Sequence, residues 1–105
     1  MLPGTLEMLV LQTLSRGPMH GYAIAQYIQQ VSEDVLQVEE GSLYPALQRL
    51  LREGWVSAEW GTSSKNRKVR TYRLTAAGEQ QLHHEVAGFE RSLQAIHRVL
   101  RPEQA

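Results

Sequence analysis

The first apolar segment of the chain is almost continuously hydrophobic. Residues 5 to 15, TLEMLVLQTLS, predict a helix that Thr5 caps and that Gly17 and Pro18 end. Six of these eleven residues are apolar, which is too many for one helical stripe. We therefore expect this helix to be covered on two sides, with another subunit as a candidate for the second cover.

Two amphipathic helices follow. Residues 21 to 31 predict a helix whose apolar positions share one face, namely Ile24, Ile28 and Val31. A third helix is predicted from about Ser42 to Glu53, because Pro45 is tolerated only in a first turn and Gly54 favours termination. Ser42 is then the expected N-cap. The inward face of this helix is rich in leucine, and its outward face is polar, with Ser42, Tyr44, Gln48, Arg49 and Arg52.

The hydrophobic period then changes from helical to alternating. Alternation predicts two strands, within residues 55 to 60 and residues 69 to 74. The residues between them are rich in Gly, Ser, Thr, Asn and charge, which predicts a β-hairpin with a polar loop. Trp55 and Trp60 flank the first strand. The core is their expected location, with a stacking surface or a ligand pocket as alternatives.

The last segment predicts a long helix, capped by Thr75 and running from about Ala76 to Leu100. Its apolar residues repeat in steps of four and three between mostly polar positions, which is the pattern of a coiled-coil seam. A narrow seam on one terminal helix needs a partner, and the same helix of a second copy is the expected one. The seam residues are the expected dimer interface: Leu82, Val86, Phe89, Leu93, Ile96 and Leu100.

The order of elements is helix, helix, helix, hairpin, long helix. It predicts a mainly α fold with a small β-hairpin, namely a winged helix-turn-helix followed by a long C-terminal dimerisation helix. We assign residues 1 to 74 to the winged DNA-binding domain and residues 75 to 105 to the dimerisation helix and tail. In such a fold the third helix enters the major groove of DNA, and the hairpin lies along the backbone or the minor groove.

Charge is balanced over the whole chain but not along it. The 105 residues include eleven basic and eleven acidic side chains, yet residues 61 to 72 carry four cations and no acid. Such loops are often only solvated surface, but on the hairpin of this fold the cations are expected to meet phosphates. Asn66 at the tip can reach a phosphate or a minor-groove base edge. The candidate hairpin contacts are Lys65, Asn66, Arg67, Lys68 and Arg70.

Base reading is expected from the outward face of the third helix. Gln48 can bond adenine and Arg49 can bond guanine, and Tyr44 faces outward with them. Ordinary helix surface is the alternative. Glu39 and Glu40 precede the helix and would repel phosphate, unless one of them accepts from a cytosine amino group. A winged-helix protein-interaction module without DNA binding therefore stays open as an alternative function.

Other chemistry finds little support in the sequence. The chain has no cysteine, and His83 and His84 point about 100° apart on a helix, so they cannot chelate from one face. Zincin, P-loop and Ser/His/Asp patterns are missing, which leaves a small metal-dependent enzyme as the weakest interpretation. The apolar run from Met8 to Leu11 is too short for a signal peptide or a membrane span. We expect a cytoplasmic protein that is not an enzyme and needs no metal or cofactor.

Three segments resemble the PadR family of bacterial transcriptional regulators: PMHGYAIAQYI, VEEGSLYPALQRLLREGWV and KNRKVRTYRLTAAG. The resemblance covers about residues 4 to 100 and is to the compact branch that ends in one long helix. It implies a homodimeric winged-helix repressor of palindromic promoter DNA, whose last helix packs against the partner's first helix. The DNA contacts it implies are Ser42, Tyr44 and their neighbours, residues 65 to 70, and His20 and Tyr22 at the start of the second helix.

The resemblance also admits a small-molecule effector, because some members of the family release DNA on binding small aromatic molecules. Some of those members use a tryptophan in the last helix, and this chain has none there. The identity of any effector is left open by the sequence.

Overall fold

The computed structural model describes residues 4 to 104. Within that range the chain forms four α-helices and a three-stranded antiparallel sheet, in the predicted order with one added strand. The predicted fold class is confirmed. The elements are α1 Thr5–Leu14, β1 Met19–His20, α2 Gly21–Val31, α3 Glu40–Arg52, β2 Val56–Thr62, β3 Lys68–Leu74 and α4 Ala76–Leu100, followed by a 3₁₀ turn at Pro102–Gln104.

Helix α1 lies at the centre of the core and contacts α2, α3, β3 and α4. The prediction that α1 is covered on more than one side is confirmed. Three helices and a strand of its own chain pack around α1 and supply this cover, and a contact with a second subunit stays a prediction. Its apolar side chains are buried or half-buried in one cluster: Leu6, Met8, Leu9, Val10, Leu11 and Leu14.

The apolar face of α2 is shorter than predicted. Ile24 and Ile28 are buried in the core, whereas Val31 is 64% exposed. Val31 is the last residue of α2, and the chain leaves the core there through a turn at Ser32. Helical spacing placed Val31 on the correct face, but the core does not extend to the end of that face.

Helix α3 begins at Glu40, two residues before the predicted start, and Glu39 rather than Ser42 occupies the N-cap position. Pro45 therefore lies in the second turn, where it leaves the carbonyl of Gly41 without its usual helical donor. Gly41 is exposed, so water can bond that carbonyl. Solvent access lowers the cost of the missing hydrogen bond, and the helix accommodates the proline ring one turn later than predicted.

The other end of α3 follows the prediction. Gly54 adopts a positive φ of 75°, which favours glycine. Its amide donates to the carbonyl of Leu51 at 3.1 Å, and the amide of Trp55 donates to the carbonyl of Leu50 at 3.0 Å. This pair of bonds is a Schellman termination, and it turns the chain directly into β2.

Strands β2 and β3 form the predicted hairpin, which we call the wing. Their register runs from Val56 opposite Leu74 to Thr62 opposite Lys68. Strand β1 was not predicted, because its two residues are too few to show alternation. It pairs with β3 through His20 opposite Thr71 and ties the start of α2 to the wing.

The expectation that both tryptophans lie in the core is wrong for Trp60, which is 61% exposed. Alternation correctly gave Trp60 the same face of β2 as Val56 and Ala58. Burial falls along that face, from Val56 buried through Ala58 half-buried to Trp60 exposed, because the wing projects beyond the helices. Trp55 at the base of the wing is half-buried against the core.

Helix α4 begins with the predicted cap. The Thr75 hydroxyl oxygen accepts from the amide of Gly78 at 3.0 Å, and the hydroxyl donates to the carbonyl of Gly54 at 2.7 Å. The Thr75 amide donates to the carbonyl of Trp55 at 3.1 Å. These bonds attach the first turn of α4 to the base of the wing.

The predicted seam of α4 divides into two parts. Leu82 is 4% exposed and packs in the core of its own chain, with Val86 half-buried beside it. Because Leu82 is covered within its own chain, the exposed surface of the seam begins beyond it, and the predicted dimer interface stays a prediction. The exposed part of the seam consists of Phe89, Leu93, Ile96 and Leu100.

The second half of α4 extends away from the core. The molecule measures 58 × 29 × 22 Å, and its radius of gyration is 15.6 Å, against about 13 Å for a compact domain of this length. Across residues 4 to 104, every helix is too short or too polar to cross a membrane. The first turns of α4 pack in the same core as the winged part, where Leu82 is buried. The division into a DNA-binding part up to residue 74 and a dimerisation part from residue 75 therefore stays a prediction.

Glu85 lies in the groove between α1 and α4 and is half-buried. Its Oε2 atom is buried and has no hydrogen-bond partner among the residues that the structure describes. Burial raises the pKa of Glu85, and the charge of Glu7 adds to this effect, against a lowering by Gln81 and His84. The ionised carboxylate is therefore disfavoured at this position.

We expect Glu85→Gln to raise the free energy of unfolding at neutral pH, because the amide carries no charge to desolvate. A carboxyl whose pKa is raised by folding stabilises the fold below its unfolded pKa and loses that contribution as the pH rises through its folded pKa. The advantage of the variant should therefore shrink as the pH falls to the ordinary range of glutamate, about 4. Urea unfolding at about pH 4 and about pH 8 measures it.

Glu90→Gln is the matched control for Glu85→Gln, because Glu90 is exposed on the same helix. The control should change stability little at either pH. An advantage of Glu85→Gln that stays constant across this range would show that the charge of Glu85 is not its cause.

Candidate nucleic-acid interface

A concave surface lies where the start of α2, the outer face of α3 and the wing meet. It encloses about 400 Å³, and we call it the wing groove. Six residues predicted to bind DNA line it: His20, Tyr22, Tyr44, Gln48, Lys68 and Arg70. The fold thus brings together side chains from three separate stretches of the sequence.

Tyr44 is held against the start of α2. A Cβ atom built on Gly21 would lie 3.0 Å from the Cε1 atom of the Tyr44 ring, so only glycine leaves the ring undisturbed. Burial raises the pKa of Tyr44, with further contributions from the charge of Glu40 and from Tyr72. The Tyr44 hydroxyl is therefore protonated at neutral pH and can donate a hydrogen bond.

His20 reaches the groove because β1 pairs with β3. Its Nδ1 atom lies 3.2 Å from the hydroxyl oxygen of Thr71, which is its partner in the strand register. Tyr22 follows on the first turn of α2 and is exposed. Both side chains therefore line the wing groove.

The tip of the wing is ordered by Ser63. The Ser63 amide donates to the carbonyl of Arg67 at 2.8 Å, and the Ser63 hydroxyl oxygen accepts from the amides of Lys65 and Arg67 at 3.3 and 3.2 Å. Asn66 adopts a positive φ of 60°, which asparagine tolerates better than most residues. The side chains of Lys65, Asn66 and Arg67 remain exposed.

Two of the wing cations lie over aromatic rings. The Lys68 Nζ atom lies 5.1 Å from the centre of the Trp60 ring. The Arg70 guanidinium carbon lies 5.5 Å from the centre of the Trp60 ring and 5.7 Å from that of Tyr72. All three distances fall within the range of cation–π attraction.

The structure leaves several predicted DNA contacts outside the groove. Arg49 faces α1, where its Nε atom donates to the Glu7 carboxylate at 2.8 Å in an ion pair. Ser42 faces the loop between α2 and α3 and lines a separate pocket with Leu6 and Val38. The three tip residues lie beyond the groove, at the end of the wing. Of the predicted base readers, the groove therefore collects Tyr44 and Gln48 but not Arg49.

Four groove residues were not among the predicted contacts: Gly21, Trp60, Val69 and Tyr72. The hairpin register could have identified Trp60, because it places Trp60 directly opposite Arg70. The neighbouring sequence does not predict a role for Gly21, because that role depends on the close approach of Tyr44 from α3.

Metal chemistry gains no support from the part of the chain that the structure describes. No group of three or more His, Cys, Asp or Glu side chains there could hold a metal ion. His83 and His84 both lie on α4, and both are exposed.

Comparison with known proteins identifies the family. A sequence model of the transcriptional regulator PadR-like family matches residues 10–84. A negative transcriptional regulator, PadR of Bacillus subtilis, is 27% identical over 78 residues, which are 74% of this chain and 43% of that protein. This chain therefore spans less than half the length of that relative.

Solved structures share the fold. A transcriptional regulator from Clostridium thermocellum has a TM-score of 0.84 at 24% identity, covering 90% of this chain and 92% of its own. A PadR family transcriptional regulator from Eggerthella lenta has a TM-score of 0.81 at 30% identity, covering 93% of this chain and 83% of its own. Bacillus subtilis PadR, crystallised with operator DNA, has a TM-score of 0.71 at 26% identity, covering 78% of this chain and 46% of its own. With its winged fold and the match over most of its length, the chain belongs to the PadR-like family of transcriptional regulators.

Proposed function

We propose that this protein is a sequence-specific repressor that binds a palindromic promoter operator as a homodimer. The observation that carries the proposal is the wing groove, in which the outer face of α3 and the cations of the wing converge. The side chains of Tyr44 and Gln48 on α3 can form hydrogen bonds with the edges of bases. The cations Lys68 and Arg70 can bind the neighbouring phosphates.

The character of the relatives supports this role. The family consists of DNA-binding regulators rather than enzymes. Bacillus subtilis PadR is a negative regulator by name, and its structure with operator DNA aligns with most of this chain. By analogy with that protein, we propose that this chain also binds an operator and represses transcription.

The contacts we propose fall into two groups. Gln48 and Tyr44 contact base edges from the major groove, and Gln48 is suited to a bidentate bond with adenine. His20, Tyr22 and the wing cations contact the phosphate backbone, with Asn66 at the tip of the wing. Arg49 joins the base contacts only if it leaves Glu7, since one guanidinium cannot serve both partners in full.

The exposed part of the α4 seam supports the proposed homodimer. Apolar residues at Phe89, Leu93 and Ile96 form a stripe that a second α4 can cover. Two-fold symmetry then places two α3 helices about 34 Å apart, one turn of the duplex, on a palindrome. A small-molecule effector is compatible with this arrangement but has no assigned site.

The test is binding of the purified protein to its own upstream promoter fragment, at two salt concentrations, against a scrambled duplex. We expect tight binding that discriminates against the scrambled duplex. Weak and equal binding to both would instead favour a protein-interaction module. The exposed Glu39 and Glu40 at the start of α3 motivate this alternative, because carboxylates repel phosphate.

Replacing Lys65, Arg67 and Lys68 by alanine should flatten the salt dependence of DNA affinity. Each cation that no longer neutralises a phosphate lowers the slope of log K against log salt by about 0.9, because fewer condensed counterions are released. Fluorescence anisotropy over a salt series measures the slope. The charge-matched control replaces Arg91, Arg98 and Arg101, which lie on and after α4 and outside the wing, and should leave the slope nearly unchanged. Equal slopes for the wing variant and the unmodified protein would show that the wing does not touch phosphate.

A further inference from the structure

Trp60 is the exposed aromatic residue that the proposed function does not yet use. Its side chain is 61% exposed on the wing, and it belongs neither to the buried core cluster nor to the exposed seam of α4. The exposed part of the indole gains nothing from burial, so core packing accounts for only part of its position.

The hairpin register places two cations on the Trp60 ring. Arg70 lies directly opposite Trp60 on β3, and Lys68 is its diagonal neighbour, opposite Thr62. Side chains at these two positions are within reach of an aromatic residue on the same face of a hairpin. The Lys68 Nζ and Arg70 guanidinium lie 5.1 and 5.5 Å from the centre of the ring.

Arg70 is enclosed more fully than Lys68. Its guanidinium lies within 6 Å of the ring centres of both Trp60 and Tyr72, and its Nε atom is buried without a hydrogen-bond partner among residues 4 to 104. Within the same residues, neither Arg70 nor Lys68 forms an ion pair with a carboxylate. The rings therefore hold these two side chains in place of an acidic partner.

An aromatic partner differs from an acidic partner in its effect on charge. A carboxylate would hold the cations but cancel their charge and compete with phosphate for their donors. An indole face attracts a cation through its quadrupole and leaves the full positive charge for a second partner. Holding a long side chain in one orientation also removes part of the entropy cost of binding.

We propose that Trp60 is a positioning residue for DNA binding, whose indole ring holds Lys68 and Arg70 in the wing groove so that both charges meet phosphates. This inference rests on the proposed function. It assigns the effect of Trp60 on DNA to the two cations and not to a contact of the ring with DNA.

The test compares Trp60→Leu, which keeps apolar bulk without a π face, with Trp60→Phe, which keeps a smaller π face. We expect Trp60→Leu to weaken binding to the promoter fragment about 5- to 20-fold and to lower the salt slope, with a smaller loss for Trp60→Phe. In a protein that carries Lys68→Ala and Arg70→Ala, Trp60→Leu should change affinity less than about twofold, because the groups it positions are gone.

Two results would overturn the proposal. An equal loss from Trp60→Leu in both backgrounds would show that the ring contacts DNA by itself. No loss in the unmodified background would show that the ring has no part in binding. Thermal melting of each variant, which should change little because Trp60 is exposed, separates these effects from misfolding.

A readout without DNA separates this inference from the proposed function. The methylene protons beside Lys68 Nζ and Arg70 Nε should show ring-current shifts in NMR spectra of the free protein. Trp60→Leu should abolish the shifts of Lys68 and reduce those of Arg70, because the Tyr72 ring stays beside Arg70. Absence of these shifts in the unmodified protein would refute the stacking itself. If the shifts are present but the unmodified protein binds no duplex, the proposed function fails and the DNA role of Trp60 fails with it.

Discussion

Gly78→Ala is expected to destabilise the fold by about 3 kcal/mol or more. A Cβ atom at Gly78 would lie 1.9 Å from the carbonyl oxygen of Trp55 and 2.8 Å from the Cδ1 atom of Leu74. The Trp55 carbonyl belongs to the backbone and accepts the amide of Thr75, so it cannot move without breaking that bond. The better helix propensity of alanine, about 1 kcal/mol, offsets only part of the cost. Urea unfolding followed by circular dichroism measures the difference at a fixed protein concentration.

Gly88→Ala is the control for Gly78→Ala, since both glycines lie in α4. The nearest atom to a Cβ at Gly88 is a guanidinium nitrogen of Arg91 at 3.7 Å, an ordinary contact. We expect this variant to be more stable than the unmodified protein by about 1 kcal/mol. If both variants were stabilised alike, the close approach of α4 to the base of the wing would not be present in solution.

Leu93→Asp is expected to convert the proposed homodimer into monomers. Leu93 is 41% exposed in the single chain, so aspartate there leaves the core of the subunit intact. In a dimer formed through the seam, two carboxylates would be buried without partners, at a cost of several kcal/mol for each charge. The dimer dissociation constant should rise by about a thousandfold or more. Sedimentation equilibrium measures it, and affinity for a palindromic operator should fall with it.

Ala95→Asp tests whether the effect belongs to the seam or to any new charge on α4. Ala95 is exposed and lies roughly on the opposite side of the helix from Leu93. This variant should stay dimeric, with a similar loss of helix propensity. A dimer that survives Leu93→Asp would place the interface on another surface.

The order and type of the main elements were predictable because their signals are local. The Thr75 cap, the Gly54 termination and the extent of α4 each depend on a few neighbouring residues, and the structure confirms all three. Strand β1 was not predicted because two residues carry no periodicity. The start of α3 was predicted two residues late because the helix accommodates Pro45 in its second turn, where water can bond the exposed Gly41 carbonyl.

The candidate site was predictable in part. Its cations could be recognised from the charge pattern, and Tyr44 and Gln48 from the polar face of a helix. The position of Arg49 could not be recognised, because its partner Glu7 lies 42 residues away in the sequence. Trp60 was assigned to the core because alternation identifies a face of the strand but does not show where the core beneath that face ends.

The sequence by itself determined the winged order of helices and hairpin, the basic wing and the apolar seam of α4, since each follows from spacing or composition within one segment. Only the tertiary structure decided which part of the seam is already covered, which cations share an aromatic ring and which base-reading candidate is paired with α1. The physical reason is that burial and pairing depend on groups that folding brings together from distant segments. The pattern within one segment does not show which distant groups will contact it.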